Sequence, residues 1–319
     1  MLAWLAVALL LGFATGALMV WHDPWLLARA EFARQRRAAG LVQAKLAAAG
    51  HHWVYATSRT AAANLPTVVM LHGFVGSKEN WYPLAHALRG RYRLLIPDLP
   101  GWGESERRPE VVYGFPEQAA HVSAFVAALS PEAPVILLGH SMGGGIAALV
   151  AARDPGCIAK LGLLNAAGVR FADNRFGLDV LDGKNPFAVT DAPSLRRFID
   201  RVFFDAAAKP SIPWPVSGAM IKRRLADADF EQAVLDRIGR CSENLLPGEE
   251  AVGIRQPTLL VWGRQDAVID PSALELYAQR IPQARKLLLD GCGHMSLMER
   301  ADAVAAAVVA LVESNPEAG

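Results

Sequence analysis

The stretch Leu-Leu-Gly-His-Ser-Met-Gly-Gly at residues 137–144 decides how the rest of the chain is interpreted. An apolar run at residues 135–138 predicts a short buried strand, and the small residues at 143–152 predict a helix. Between them, Gly139, Ser141 and Gly143 form the pattern G-x-S-x-G, which is typical of a nucleophile elbow. Because the turn is sharp, a Cβ atom at either glycine would meet the strand or the helix. The pattern predicts a reactive Ser141 hydroxyl at a helix N-terminus, which favours negative charge; the alternative is an idle serine in a glycine-rich turn.

Charge and cysteine content exclude several classes of protein. Lys and Arg number 32 and Asp and Glu number 31 in the 319 residues, so a net charge of +1 gives no overall field that favours nucleic acid. Cys157, Cys241 and Cys292 are odd in number and far apart, which argues against a disulfide framework and a zinc site. The length allows one large domain or two.

Residues 1–21 contain no charged side chain and predict a retained transmembrane anchor, since about 20 apolar residues suffice to cross a bilayer. The competing interpretation is a cleaved signal peptide. Against it, no Lys or Arg precedes the apolar stretch, the stretch is long, and a clear A-x-A cleavage site is missing.

The anchor also contains a pattern that favours helix pairing. Gly12 and Gly16 form G-x-x-x-G, and small residues at this spacing let two helices approach closely in a bilayer. The pattern predicts a homodimer through the anchor helix, although a span rich in Ala and Gly can also contain it by chance.

Residues 22–50 are rich in alanine and predict a juxtamembrane helix that continues from the anchor. Two interpretations of this helix stay open: it lies along the lipid headgroups, or it is an ordinary solvated linker. Four arginines closely follow the anchor, so the positive-inside rule predicts a cytoplasmic domain; they are Arg29, Arg34, Arg36 and Arg37.

The remainder of the chain alternates between strand and helix patterns. Short apolar runs predict strands at residues 53–56, 67–71, 92–96, 135–138, 161–164, 258–261 and 287–289. Helical patterns occur at residues 80–88, 116–129, 143–152 and 301–312. This alternation implies an α/β fold, with a mostly parallel sheet covered by helices on both faces. Ligands of such sheets bind at the carboxyl ends of the strands, so residues directly after the strands are candidates for chemistry.

Three residues of complementary chemistry each follow a predicted strand, in the order Ser141, Asp266, His294. A serine hydroxyl is a poor nucleophile until a base takes its proton, which is the predicted role of His294. Asp266 would fix the imidazole tautomer and stabilise the imidazolium. Two alternatives fit less well, because His140 lies on the turn itself and Asp270 lies farther from the end of its strand.

Residues from about 67 to 312 resemble an α/β-hydrolase. Five blocks carry the resemblance: VMLHGF at 69–74, PDLPGWGES at 97–105, GHSMGG at 139–144, VWGRQD at 261–266 and GCGHMSLMER at 291–300. The last two blocks look most like the abhydrolase-domain-6 monoacylglycerol lipases. Anchor and domain together resemble membrane-bound bacterial phospholipase A and lysophospholipase enzymes of the same family.

The resemblance implies further roles and a substrate class. The backbone N–H groups of Phe74 and Met142 would form the oxyanion hole, and no cofactor or metal is expected. His72 and Asp98 also follow predicted strands, and from that position they are expected to brace loops at the edge of the sheet. The implied activity is hydrolysis of acyl esters of glycerolipids: phospholipid, lysophospholipid or monoacylglycerol. A thioesterase or carbon–carbon bond hydrolase would use the same triad, and a catalytically inactive, membrane-tethered binding protein is the alternative outside the enzymes.

Residues 171–253 are too long for a plain loop and predict a helical cap over the site, inserted into a core of residues 51–170 and 254–319. Helical patterns occur at residues 195–204 and 220–238. The apolar residues of the cap either line an acyl channel or only pack the cap onto the core, and the sequence leaves both open. The resemblance implies that the domain lies in the periplasm, which conflicts with the arginine distribution.

Overall fold

The computed structural model describes residues 1, 4–5, 15–16, 18–60, 62 and 64–314. Most of the predicted anchor, including Gly12, lies outside these residues. Residues 18–22 are helical, but no helix in the described part of the chain combines the length and apolar character needed to cross a membrane. The anchor and the pairing through Gly12 and Gly16 therefore stay predictions.

One sheet organises the described chain. Its eight strands are β1 (Leu41–Ala48), β2 (His51–Ser58), β3 (Thr67–Leu71), β4 (Arg93–Pro97), β5 (Val135–His140), β6 (Ile158–Leu164), β7 (Thr258–Gly263) and β8 (Arg285–Leu289). Their order across the sheet is β1-β2-β4-β3-β5-β6-β7-β8. β2 pairs antiparallel with β1 and β4, and the other neighbours pair in parallel. The predicted mostly parallel sheet is confirmed, and each predicted strand is present.

Helices cover both faces of this sheet. They are α1 (Trp25–Ala38), α2 (Tyr82–Ala87), α3 (Phe115–Leu129), α4 (Met142–Arg153), α5 (Arg175–Leu181), α6 (Ala192–Val202), α7 (Val216–Ala226), α8 (Ala228–Arg240), α9 (Leu246–Glu250), α10 (Ser272–Arg280), α11 (Ser296–Glu299) and α12 (Ala301–Glu313). Side chains alternate along a strand, so Val69 and Leu71 of β3 pack into a core with α3, α4 and α10, whereas Val68 and Met70 pack with α2 and α12. Burial on both faces explains the continuous apolar runs of the central strands.

The predicted helix over residues 22–50 is wrong beyond Ala38. After α1, Gly40 adopts a left-handed φ of +71°, and β1 pairs antiparallel with β2 from Leu41 opposite Ser58 to Ala48 opposite His51. Gln43 and Lys45 are exposed along β1 while the intervening side chains are partly buried. This alternation of polar and apolar residues has the period of a strand, and it outweighs the helix propensity of the alanines.

Helices α5–α9 lie between β6 and β7, at the position predicted for the cap. The predicted helix at residues 220–238 is divided at Asp227 into α7 and α8, and the predicted helix at 195–204 corresponds to α6. A buried ion pair joins the two halves, since Arg224 Nε lies 2.6 Å from Glu231 Oε1. Arg224 also donates from Nη2 to the carbonyl oxygen of Phe187 at 2.7 Å, which fixes the loop between α5 and α6.

Candidate active site

Ser141 lies between the end of β5 and the start of α4, at the carboxyl edge of the sheet. Its φ of +55° and ψ of −119° are strained for a residue with a Cβ atom. Main-chain hydrogen bonds hold this conformation: Ser141 N donates to Leu164 O at 3.0 Å, and Ser141 O accepts from Gly144 N at 2.9 Å and from Ala167 N at 3.0 Å. The strained turn raises the hydroxyl above the end of the sheet, as a nucleophile elbow requires.

The two elbow glycines are required by close backbone contacts. A Cβ atom on Gly139 would lie 2.1 Å from the carbonyl oxygen of Gly143, and a Cβ atom on Gly143 would lie 2.4 Å from that of Leu71. These distances leave no room for any side chain. The structure therefore contains the close contacts that the G-x-S-x-G pattern predicts at its two glycines.

Asp266 and His294 lie together beyond β7 and β8. Asp266 Oδ2 is 2.9 Å from His294 Nδ1, and Asp266 Oδ1 accepts from the backbone N–H groups of Val268 at 2.8 Å and Ile269 at 3.0 Å. Both side chains are buried, and His294 lines the same cavity as Ser141. The carboxylate is held by its own loop, so it can fix the orientation of the imidazole through Nδ1.

The two alternatives have other partners. Asp270 Oδ1 accepts from Ser272 N at 2.9 Å and so stabilises the start of α10. His140 Nε2 donates to the carbonyl oxygen of His294 at 2.8 Å. Burial and the neighbouring His294 lower the pKa of His140 well below its usual value, so its ring is neutral at pH 7. His140 thus positions the main chain of His294 through this hydrogen bond. That is a different role from a base that would take the proton of Ser141.

Asn165 is a site residue that the sequence analysis missed. It directly follows β6, with a left-handed φ of +47°, and its Nδ2 donates to Asp266 Oδ2 at 2.7 Å. Its own Oδ1 accepts from Ser296 Oγ at 2.6 Å. Asp266 Oδ2 therefore receives two hydrogen bonds, and the amide that supplies the second is itself fixed. The position after a strand was the available signal, because the same rule identified Asp266.

Glu299 is the second missed residue, and it joins the His294 loop to the cap. Its buried carboxylate accepts from Gly293 N at 3.0 Å and Met295 N at 3.2 Å through Oε1, and from Phe204 N at 2.9 Å through Oε2. In addition, His294 N donates to the carbonyl oxygen of Val202 at the end of α6. The loop that carries the histidine is thus fixed to the end of the first long helix of the cap.

His72 and Asp98 brace the loops after β3 and β4, as predicted. His72 Nε2 accepts from Leu99 N at 3.0 Å, and its Nδ1 donates to Gly73 O at 2.8 Å. Burial lowers the pKa of His72 to about 4, so the ring is neutral and can make both bonds. Asp98 accepts from Lys78 N and Lys78 Nζ, both at 2.7 Å.

The predicted oxyanion donors are adjacent to Ser141. Met142 is the first residue of α4, so its N–H group has no acceptor inside the helix. Phe74 follows β3, and its ring contacts that of Phe187 at a centroid distance of 5.5 Å. Both residues line the space around Ser141. The oxyanion role stays a prediction.

Two cavities meet at Ser141. The larger has a volume of about 660 Å³ and is bordered by α1, the cap loop at residues 210–213 and His294. The smaller has a volume of about 100 Å³ and lies between α5 and α8. Among the described residues, Phe74, Ser141 and Phe187 line both. Apolar cap residues therefore line space above the serine, and their role as an acyl channel stays a prediction.

Residues 68–307 match the alpha/beta hydrolase family, and the chain belongs to it. Lipase 1 of Psychrobacter immobilis is 30% identical over 81% of this chain and 80% of its own. Monoacylglycerol lipase abhd6-B of Xenopus laevis is 30% identical over 91% of this chain and 87% of its own. Among solved structures, that of a membrane phospholipase A has a TM-score of 0.85, with 30% identity and 97% of each chain covered. The chain is a carboxylic ester hydrolase, as the sequence predicted.

Proposed function

We propose that this protein is a membrane-associated serine hydrolase that cleaves acyl esters of glycerolipids through an acyl-enzyme on Ser141. The observation that carries the proposal is that the strained Ser141 and His294 border one cavity, while Asp266 holds the imidazole of His294 from behind. This arrangement supplies a nucleophile, a base and an orienting carboxylate.

The proposed reaction begins when His294 Nε2 takes the proton of Ser141 as Oγ attacks the ester carbonyl. The N–H groups of Phe74 and Met142 stabilise the negative oxygen of the tetrahedral intermediate; removing one such donor typically costs about 10²–10³-fold in rate. The protonated His294 then gives its proton to the leaving alcohol. In the second half of the reaction, His294 takes a proton from water as the water oxygen bonds to the acyl carbon, and it returns a proton to Ser141 Oγ as the acyl–Oγ bond breaks.

The apolar lining of the larger cavity supports a lipid substrate. Phe198, Val202, Ile212, Met220 and Met298 all border it. Apolar walls with few polar groups favour burial of hydrocarbon chains. Relatives named as lipase, monoacylglycerol lipase and phospholipase A support the same substrate class.

A fluorophosphonate probe tests the proposed nucleophile. We expect stoichiometric labelling of Ser141 in the full-length protein, identified by peptide mass spectrometry, because only an activated serine attacks the phosphorus. The Ser141→Ala variant should take up no label, whereas Ser130→Ala, which removes a hydroxyl that donates to the carbonyl oxygen of Ala133 just after α3, should still be labelled. Labelling that persists in Ser141→Ala would assign the nucleophile elsewhere.

We also propose that residues 1–21 anchor the protein in the inner membrane, with the domain on the periplasmic side. Helix α1 follows this segment directly and packs on α7 of the cap and on β1, and Trp25 and Phe32 of α1 line the larger cavity. The route from membrane to serine would therefore be short. The family resemblance implies the periplasmic side, whereas the arginines that follow the anchor favour the cytoplasmic side.

Deletion of residues 1–21 tests the anchor. We expect the shortened protein to leave the membrane fraction and to hydrolyse a soluble p-nitrophenyl ester within about twofold of the full-length rate, since the triad lies far along the chain. Hydrolysis of membrane-resident lipid should fall at least about tenfold, because anchoring raises the local substrate concentration. Release of the full-length protein by high salt would contradict a spanning anchor.

The same preparations test the proposed pairing through Gly12 and Gly16. A bulky side chain at these positions would hold two helices apart. We therefore expect the double substitution Gly12→Leu with Gly16→Leu, and the deletion, to lower the crosslinked dimer fraction. A dimer that survives both changes would have its interface on the hydrolase domain.

A further inference from the structure

The two cavities above Ser141 are lined by different residues, and this difference indicates which part of an ester each cavity would bind. Phe187 stands between them, and its ring packs on Phe176 at a centroid distance of 4.7 Å and on Phe198 at 5.9 Å. It is 5% exposed, and its carbonyl oxygen is held by the buried Arg224. The division between the cavities is therefore a fixed part of the cap.

The chemistry of the ester step assigns each cavity a part of the substrate. The Oγ–C bond forms while the bond from the carbonyl carbon to the alcohol oxygen breaks, and the proton from Ser141 passes through His294 to that oxygen. The leaving oxygen must therefore lie beside His294. His294 lines the larger cavity and is absent from the lining of the smaller one, which holds Met142 instead.

We propose that the smaller cavity binds the acyl chain and the larger one binds the leaving alcohol, so that the enzyme selects short acyl chains on bulky, partly apolar alcohols. This inference rests on the proposed function. The smaller cavity has a volume of about 100 Å³ and the larger one about 660 Å³, so the length of the acyl chain is the more restricted of the two. A glycerolipid whose second chain remains on the alcohol is the class of substrate that fits.

Both cavities combine apolar and polar side chains. The smaller cavity has apolar walls from α5 and α8, which include Val180 and Leu235. Its wall is tightly packed, since a Cβ atom on Gly239 would lie 2.5 Å from Val180 Cγ1. The larger cavity combines apolar side chains with polar ones, among them Glu31 and Gln35 of α1. Arg170 and Asn244 add polar groups to the smaller cavity as well, so the assignment rests on the position of His294 and on the two volumes.

Two ester series separate the two sites. The first keeps p-nitrophenol as the alcohol and lengthens the acyl chain from acetate through octanoate to palmitate. The second keeps butyrate as the acyl group and enlarges the alcohol from ethanol to a 2-acyl glycerol. Matched variants change one cavity at a time: Leu235→Ala enlarges the smaller, and Ile199→Ala enlarges the larger. Val180→Leu narrows the smaller cavity, and Val216→Leu narrows the larger one.

For the wild-type protein we expect kcat/KM to fall by about tenfold or more from octanoate to palmitate, because one methylene without room can cost about tenfold or more. Leu235→Ala should move the acyl optimum to longer chains, and Val180→Leu should move it to shorter ones. Ile199→Ala and Val216→Leu should leave the acyl optimum unchanged and alter preference in the alcohol series.

Opposite results would overturn the assignment. If Ile199→Ala moved the acyl optimum while Leu235→Ala left it unchanged, the two cavities would have the reverse roles. If both variants kept full activity and the wild-type preference for acyl-chain length, neither cavity would bind the acyl chain. Absence of any ester hydrolysis by the wild-type protein would instead contradict the proposed function, so the two failures are distinguishable.

Discussion

Replacement of Ser141 by alanine is expected to lower kcat for a p-nitrophenyl ester by about 10⁴-fold or more, with little change in KM. The hydroxyl forms the covalent bond in the proposed mechanism, so no other group can substitute for it. The side chain is small and lies at the site of chemistry, so the free energy of unfolding should change by less than about 1 kcal/mol. Steady-state kinetics and urea unfolding of the same preparation check both expectations.

The partners of Ser141 should show the same loss without adding to it. His294→Ala and Asp266→Asn are expected to reduce kcat strongly, and each double variant should be little worse than the worse single one, because the three groups act as a unit. Asp270→Asn is the matched control, since Asp270 caps α10 and lies outside the His294 contact. Near wild-type turnover in Ser141→Ala, or additive losses in the doubles, would contradict the triad.

Gly139→Ala should have the second-largest effect, on both stability and turnover. The added Cβ atom would lie 2.1 Å from a backbone oxygen of Gly143, and neither the central strand nor α4 can move without disturbing the core. We expect a loss of about 3 kcal/mol or more in the free energy of unfolding, as for severe overpacking. Displacement of Ser141 by about 1 Å would cost a further 10²-fold in kcat/KM.

Gly218→Ala is the control for a glycine that tolerates a side chain. It lies within α7, and a Cβ atom there would meet nothing within 4 Å. Since alanine favours a helix over glycine by about 1 kcal/mol, this variant should be as stable as the wild type or slightly more so. If Gly139→Ala unfolded at the same urea concentration as Gly218→Ala, the steric account of the elbow would be wrong.

Local patterns sufficed to predict much of the fold. The central strands are buried on both faces, so their sequences are continuous apolar runs that a reader of the chain can find. β1 was missed because its composition favours a helix, and only pairing with β2 makes it a strand. The break between α7 and α8 at Asp227 was missed because it falls inside one continuous helical pattern, and the Arg224–Glu231 pair bridges it.

In the candidate site, too, residues marked by a local pattern could be predicted, and residues defined by long-range contacts could not. Ser141, Asp266 and His294 could be predicted because the ends of parallel strands meet at one edge. Asn165 and Glu299 could not be assigned roles, because the contacts of Asn165 with Asp266 and of Glu299 with Phe204 span 101 and 95 residues of the chain. Hydrogen bonds between such distant segments leave no periodicity in the sequence.

The chain of hydrogen bonds from His294 through Asp266 and Asn165 to Ser296 has a consequence for how this protein can change by mutation. Each member satisfies a buried polar group of the next, so losing one leaves its neighbour unpaired, at a cost of about 1–3 kcal/mol. Such coupled positions depart from additivity. Under random mutagenesis with selection for turnover, accepted changes at Asn165 and Ser296 should therefore arise together, and lineages that alter only one of them should be lost.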